Sequence, residues 1–126
     1  MTTKQKLKLI RKKHHLALIL LHGSHVTGKT HPKSDLDIAV LANNPHQAIN
    51  LFKLTADLIN ALEVDKVDLA NLTHADPLLL KTVTSNCQLL SGTKSQLDKL
   101  QLKAFHRYNN YLPYLKLEHQ FVANNL

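Results

Sequence analysis

The hydrophobic positions of the chain fall into short apolar runs separated by segments with helical spacing. Leu16–Leu21 is an apolar run that ends near Gly23, which predicts a buried strand. Asp35–Leu41 alternates polar and apolar residues at its start and then becomes apolar, which predicts a second strand. Two further strands are predicted at Val64–Leu72 and Gln88–Leu90.

Apolar residues three and four positions apart predict helices around these strands. The second and third helices each open on a capping residue followed by proline, a pair typical of a helix start. The predicted helices run from a cap at Thr2 or Thr3 to about Lys13, from Asn44-Pro45 to Leu62, from Asp76-Pro77 to about Thr84, and from near Ser95 to a break at Pro113 with a final turn or two after it.

This alternation of strands and helices predicts an α/β or α+β fold with a small central sheet. A chain of 126 residues forms one domain of ordinary size. We expect a core at about residues 16–92 and a C-terminal helical segment at 94–126, together making a single domain over 1–126.

The composition favours a globular protein and disfavours disulfide-linked, cysteine-zinc and membrane-spanning classes. Hydrophobic residues make up 44% and charged residues 20%, a globular balance. The one cysteine, Cys87, cannot form an internal disulfide or a cysteine-based zinc site, and is expected to be a small core residue near the fourth strand. The longest apolar run is far below the ~20 residues that a bilayer requires. We therefore expect a soluble, cytoplasmic protein with no membrane association.

Charge is distributed unevenly. The net charge is +7, no acid occurs before Asp35, and six of the nine acids lie between Asp35 and Asp68. A lysine-rich start is typical of a solvated helix face, although it also suits a nucleic acid or an acidic partner. No aromatic residue lies among these cations, so a stacking platform for single strands is poorly supported.

One segment carries the candidate chemistry. A predicted strand ends in Gly23-Ser24, and after ten intervening residues Asp35-x-Asp37 opens the next strand. Side chains alternate along a strand, so both carboxylates face one side with Cβ atoms ~6–7 Å apart. Such a pair suits Mg²⁺ together with substrate phosphates. Gly23 permits close backbone approach, and Ser24 adds a hydroxyl beside N–H donors for phosphate oxygens.

A third carboxylate is expected where two metal ions serve an in-line displacement. The strand over Val64–Leu72 offers Asp65 and Asp68, which are three positions apart and so face opposite sides. Only one of them can join the site, and the spacing alone leaves both open.

The combination of Gly-Ser, ten residues and Asp-x-Asp resembles the DNA polymerase β-like nucleotidyltransferase superfamily. The small size and the Val-Asp-Lys-Val-Asp-Leu strand are similar to its minimal members, the MNT antitoxins paired with HEPN-domain toxins. The resemblance covers about Leu16 to Pro113 and implies a mixed central sheet flanked by helices.

This resemblance also implies an activity. It implies transfer of a nucleoside monophosphate, AMP from ATP, to a hydroxyl on a HEPN toxin, with Mg²⁺ as cofactor in a two-metal site. Asp35 and Asp37 would be the metal-binding pair and Asp65 the third carboxylate and base. Gly23 and Ser24 would form the triphosphate-binding turn. Asp65 is then expected to point into the cleft, and Asp68 to face the helices.

The chain departs from the family pattern at one position. Thr27 stands where the family commonly has the Arg of Gly-Ser-x-Ala-Arg-Gly, which removes one phosphate contact. Lys29 and Lys33 are candidates to replace it as nucleotide-binding residues. A site weakened in this way would suit an alternative function, a binding module that neutralises its partner by docking alone.

Three other motifs are disfavoured by the sequence. Gly23-x4-Gly28-Lys29-Thr30 matches a P-loop, but Pro32 stands where a P-loop needs its helix. Gly-x-Ser-x-Gly is absent, which disfavours a serine nucleophile. The nine histidines have no convincing zinc spacing.

Overall fold

A four-stranded sheet lies between two layers of helices in the computed structural model, which describes residues 1–23, 26 and 35–125. The elements are α1 (Thr3–Lys13), β1 (Leu16–His22), β2 (Leu36–Ala42), α2 (Leu51–Leu62), β3 (Val67–Asn71), α3 (Pro77–Ser85), β4 (Cys87–Ser91) and α4 (Lys94–Asn124). All four predicted strands and four predicted helices are therefore present.

The sheet is mixed, with strand order β3-β2-β1-β4. β1 pairs antiparallel with both β2 and β4, and β2 pairs parallel with β3. The parallel pair requires a crossover, which α2 provides. This arrangement confirms the predicted mixed α/β sheet and leaves β3 and β4 as its two edges.

Each face of the sheet buries its own apolar cluster, because side chains alternate along the central strands. Ile19 and Ile38 pack with α1 and α2, whereas Leu20 and Ala39 pack with α3 and α4. Cys87 is partly buried against the second cluster, and burial raises the pKa of its thiol. The predicted role of Cys87 as a small core residue is therefore confirmed.

Helix α2 begins six residues later than its Asn-Pro pair predicts, at Leu51 rather than at Pro45. The Asn44 side chain accepts a hydrogen bond from the His46 amide, and the Asn44 carbonyl accepts one from Gln47. These bonds close a local turn, and Asn50 caps the helix instead by accepting from the Lys53 amide.

Two further boundaries differ from the prediction. β3 begins at Val67, and Val64–Lys66 precede it as non-strand residues. Helix α4 continues through Pro113 to Asn124 instead of breaking there. Pro113 and Asn109 are both exposed, so water can satisfy the carbonyl that loses its helical partner.

Over the part of the chain that the structure describes, no helix combines the length and hydropathy needed to cross a bilayer.

Helices α1 and α2 are joined by an ion-pair network centred on Asp57. The Asp57 carboxylate accepts a hydrogen bond of 2.7 Å from the buried His14 ring and one of 3.1 Å from Lys13 Nζ. The His14 hydrogen bond is the main cause that lowers the pKa of Asp57, with Lys13 adding to it against the opposing effect of burial.

We expect Asp57→Asn to lower the free energy of unfolding at pH 7 by about 1 kcal/mol. Because the folded-state pKa of Asp57 is lowered, its stabilisation is present above about pH 4 and is lost as the pH falls through the folded pKa. Urea unfolding from pH 7 to pH 2 should therefore show a shallower acid dependence in the variant. Asp98→Asn, which removes an exposed partner of Lys94, should leave the profile unchanged.

Candidate active site

Asp37 lies on the central strand β2, between two polar neighbours on the same face of the sheet. The register pairs Asp37 with His22 of β1 on one side and with Asp68 of β3 on the other. Side chains of directly paired residues lie on one face, so Asp37 and Asp68 point the same way. This is the face that Ala39 shares with α3 and α4.

Asp35 lies near Asp68, because Lys66 contacts both carboxylates. Lys66 Nζ lies 3.7 Å from Asp35 Oδ2 and 3.6 Å from Asp68 Oδ1, so one ammonium bridges both carboxylates. All three side chains are solvent-exposed. Exposed ion pairs of this kind contribute at most about 1 kcal/mol each, so a bound cation can displace Lys66 readily.

The expected placement of the third acid is wrong. Asp65 was expected to point into the cleft with Asp35 and Asp37, and Asp68 to face the helices. Because β3 starts only at Val67, Asp65 lies in a bend before the strand, whereas the register puts Asp68 beside Asp37. The structure thus places Asp35, Asp37 and Asp68 in one row on the same face of the sheet. Asp65 lies outside this row.

Gly23 leaves the space that the Asp37 carboxylate occupies. Its φ is +78°, a left-handed conformation that favours glycine. A Cβ at this position would lie 3.2 Å from Asp37 Cγ and would overlap Oδ2. The predicted pairing of the glycine turn with the Asp-x-Asp strand is therefore present in the geometry.

We expect Gly23→Ala to destabilise the fold by about 1–2 kcal/mol and to displace the Asp37 carboxylate, which would reduce catalytic turnover. The matched control is Gly92→Ala, since Gly92 has a φ of +127° and its added Cβ would meet only Ala17 and Leu18 among its nearest atoms. Thermal melts and initial rates should show both variants less stable but only Gly23→Ala impaired per folded molecule. Equal loss of activity per folded molecule in both variants would contradict the close approach of Gly23 to the Asp37 carboxylate.

His22 is a residue of this site that the sequence pattern discounted. It lies between Asp37 and Cys87 in the sheet register, and its buried Nε2 has no hydrogen-bond partner among the described residues. Burial lowers the pKa of His22, against the opposing effect of the Asp37 charge. The sequence does contain a signal for this position. His22 lies two residues after Leu20, so its side chain faces the same side of the strand, and Gly23 follows it directly.

The remaining predicted phosphate contacts are not tested by the geometry. Ser24, Lys29 and Lys33 all lie outside the described residues, as does Thr27.

The comparisons with known proteins agree on one family. A family model described as polymerase beta, nucleotidyltransferase, matches residues 5–96. A protein adenylyltransferase, MntA of Shewanella oneidensis, is 33% identical over 111 residues, covering 88% of this chain and 76% of its own length. The chain is a polymerase β-type nucleotidyltransferase.

Solved structures place this nucleotidyltransferase among the minimal MNT antitoxins. A toxin–antitoxin complex crystallised with AMP-PNP matches at 31% identity with a TM-score of 0.73, covering 97% of this chain and 96% of the other. A second match is a complex of tri-AMPylated Shewanella oneidensis HEPN toxin with MNT antitoxin, at 28% identity with a TM-score of 0.67, covering 98% and 94%. The predicted family is therefore confirmed.

The donor set of this nucleotidyltransferase site fits a hard divalent cation. Asp35, Asp37 and Asp68 present carboxylate oxygens on one face, and the bridging position of Lys66 shows that a positive charge is accommodated between two of them. Within residues 1–23, 26 and 35–125, no three His, Cys, Asp or Glu side chains lie close enough to hold a metal ion by themselves. A divalent cation at these carboxylates would take further ligands from water and substrate phosphates, as Mg²⁺ does.

Proposed function

We propose that this chain is an Mg²⁺-dependent adenylyltransferase that moves AMP from ATP to a hydroxyl on a HEPN-domain toxin and so acts as its antitoxin. The observation that carries the proposal is the row of Asp35, Asp37 and Asp68 on one face beside the Gly23 turn. The relative MntA, a protein adenylyltransferase, supports the choice of AMP and of a protein acceptor.

The proposed reaction is an in-line displacement at the α-phosphorus of ATP. The acceptor oxygen forms a bond to phosphorus as the bond to the pyrophosphate oxygen breaks. Pyrophosphate leaves with the electron pair, and the hydroxyl proton passes to a carboxylate of the site. Because ATP is the donor, we propose that the reaction takes place in the cytoplasm and that residues 1–126 form one catalytic domain.

Each carboxylate has a distinct place in this proposal. Asp35 and Asp37 would hold Mg²⁺, and Gly23 lets the chain pass close to Asp37. Asp68, on the neighbouring edge strand, is exposed and is positioned to orient or deprotonate the acceptor hydroxyl. When bound, Mg²⁺ would neutralise the triphosphate and stabilise the charge that develops on the leaving oxygen.

We also propose that Ser24, Lys29 and Lys33 contact the nucleotide. They follow Gly23 in the chain and supply a hydroxyl and two cations for phosphate oxygens. Single substitutions to Ala at Lys29 and Lys33 would raise KM for ATP more than they lower kcat if these residues bind the triphosphate.

The deciding experiment is incubation of the purified chain with radiolabelled ATP, Mg²⁺ and a HEPN-domain protein from the same genome. Label from the α-position should move to the HEPN protein, whereas label from the γ-position should not. EDTA should stop the transfer. Absence of α-label transfer across nucleotides and divalent metals would overturn the proposal and favour neutralisation by docking alone.

A further inference from the structure

A cationic groove lies between α1 and the edge strand β4, on the opposite edge of the sheet from β3. It encloses about 520 Å³. Lys4, Lys8 and Arg11 line it from α1, and Leu89–Gly92 line it from β4 and the turn that follows. Neither Asp37 nor Asp68 borders this groove, so it is separate from the carboxylate site.

The cations form one stripe along α1. Lys4, Lys8 and Arg11 are spaced at i, i+4 and i+7, which aligns them on one helix face over ~10 Å. None of the described residues that line the groove is acidic. Arg11 is held at its floor, because its Nε donates to Ser91 Oγ at 3.0 Å and its Nη1 to the Leu16 carbonyl at 3.4 Å.

Strand β4 presents a backbone edge to this groove. Its lining residues are consecutive, and consecutive side chains face opposite sides of a sheet, so the groove borders the edge of the strand rather than one face. β4 is the terminal strand and pairs with β1 alone. Within the described ranges, no backbone hydrogen bond joins its outer edge to another segment.

From these features we propose that the groove binds an extended, acidic segment of a protein partner, which adds to the sheet as a strand beside β4. The partner backbone would hydrogen-bond to the β4 edge, and its acidic side chains would meet the α1 stripe. Like-facing side chains on a strand are ~6.8 Å apart, close to the ~6 Å between Lys4 and Lys8 along the helix axis. Acidic side chains at alternate positions of the added strand would therefore have nearly the same spacing as the cations of α1.

A protein segment suits this groove better than a nucleic acid does. Its described lining residues include no aromatic side chain on which bases could stack. Leu89, on the face opposite to α1, instead offers an apolar contact for the side chains that alternate with the acids. The strand edge adds directional donors and acceptors that an extended peptide backbone satisfies in register.

The test measures binding of the full chain to a fluorescein-labelled peptide of alternating glutamate and valine by fluorescence anisotropy. A peptide of the same sequence with every backbone nitrogen methylated serves as the matched probe, since it has the same charge but no backbone N–H to donate to the strand edge. The glutamate–valine peptide should bind more tightly and should slow amide exchange at Gln88–Ser91. Lys4→Glu/Lys8→Glu should weaken binding about tenfold, whereas Lys99→Glu/Lys103→Glu on α4 should not.

Three results would overturn this inference. Equal binding of the two peptides without slowed exchange at Gln88–Ser91 would mean that charge alone attracts them. Equal weakening by the α4 variant would mean that net charge, and not the groove, determines affinity. Tighter binding of an oligouridylate that displaces the peptide would make the groove a nucleic-acid site.

Discussion

Replacing Asp35 and Asp37 together by Asn is expected to abolish adenylyl transfer while leaving the fold intact. Both substitutions keep the side-chain shape but remove the charges that hold the cation and, through it, the triphosphate. We expect the rate to fall by about 10³-fold or more, the scale on which loss of electrostatic stabilisation acts in active sites. Because the pair is not fully buried and the two charges repel each other, thermal stability should be unchanged or slightly higher.

The measurement is α-label transfer to the HEPN protein, accompanied by a melting curve of each variant. Glu118→Gln on the exposed surface of α4 is the matched control and should transfer at the wild-type rate. Wild-type transfer by the double variant would contradict the carboxylate assignment. If the double variant fails in transfer but still protects cells from the toxin, the enzyme activity would be real and the protection would come from docking.

The second large effect is expected at Asp68. Asp68→Asn should lower transfer by about 10²–10³-fold, since it removes the carboxylate that the register sets beside Asp37. Asp65→Asn should change the rate by no more than a few-fold, because Asp65 lies before β3 and outside that row. The two variants are matched in chemistry and lie three positions apart in the chain.

Paired initial rates at saturating ATP, with melting temperatures for both variants, decide between these two acids. An inactive Asp65→Asn beside an active Asp68→Asn would restore the assignment that the family resemblance implied. Loss of activity in both at unchanged melting temperatures would contradict the exclusion of Asp65 from the site.

The local pattern of apolar and polar residues was enough to predict most of the fold. The apolar run before Gly23 and the alternation after Asp35 each produce a strand because their side chains must be buried on one or both faces. These two strands also fix the Asp35–Asp37 pair, since strand alternation alone puts both carboxylates on one side. The glycine at position 23 follows the same apolar run, and the structure places it where an added Cβ would overlap the Asp37 carboxylate.

Pairing between distant segments could not be predicted in this way. The choice between Asp65 and Asp68 depends on where β3 begins and on its register against β2, and both are set by packing such as that of Val67 into the core. Hydrogen bonds at Asn44 similarly decide that its Asn-Pro pair closes a turn instead of opening a helix. The sheet partners of His22, Asp37 and Cys87, could not be predicted either, because they come from distant segments of the chain.

The most direct test of the central claim is intact-mass spectrometry of the HEPN protein after incubation with this chain, ATP and Mg²⁺. We predict that its mass increases by whole AMP units with wild type and with Asp65→Asn. We predict no increase with Asp35→Asn/Asp37→Asn. An unmodified HEPN protein after incubation with folded wild-type chain, or one modified equally by the double variant, would contradict the account.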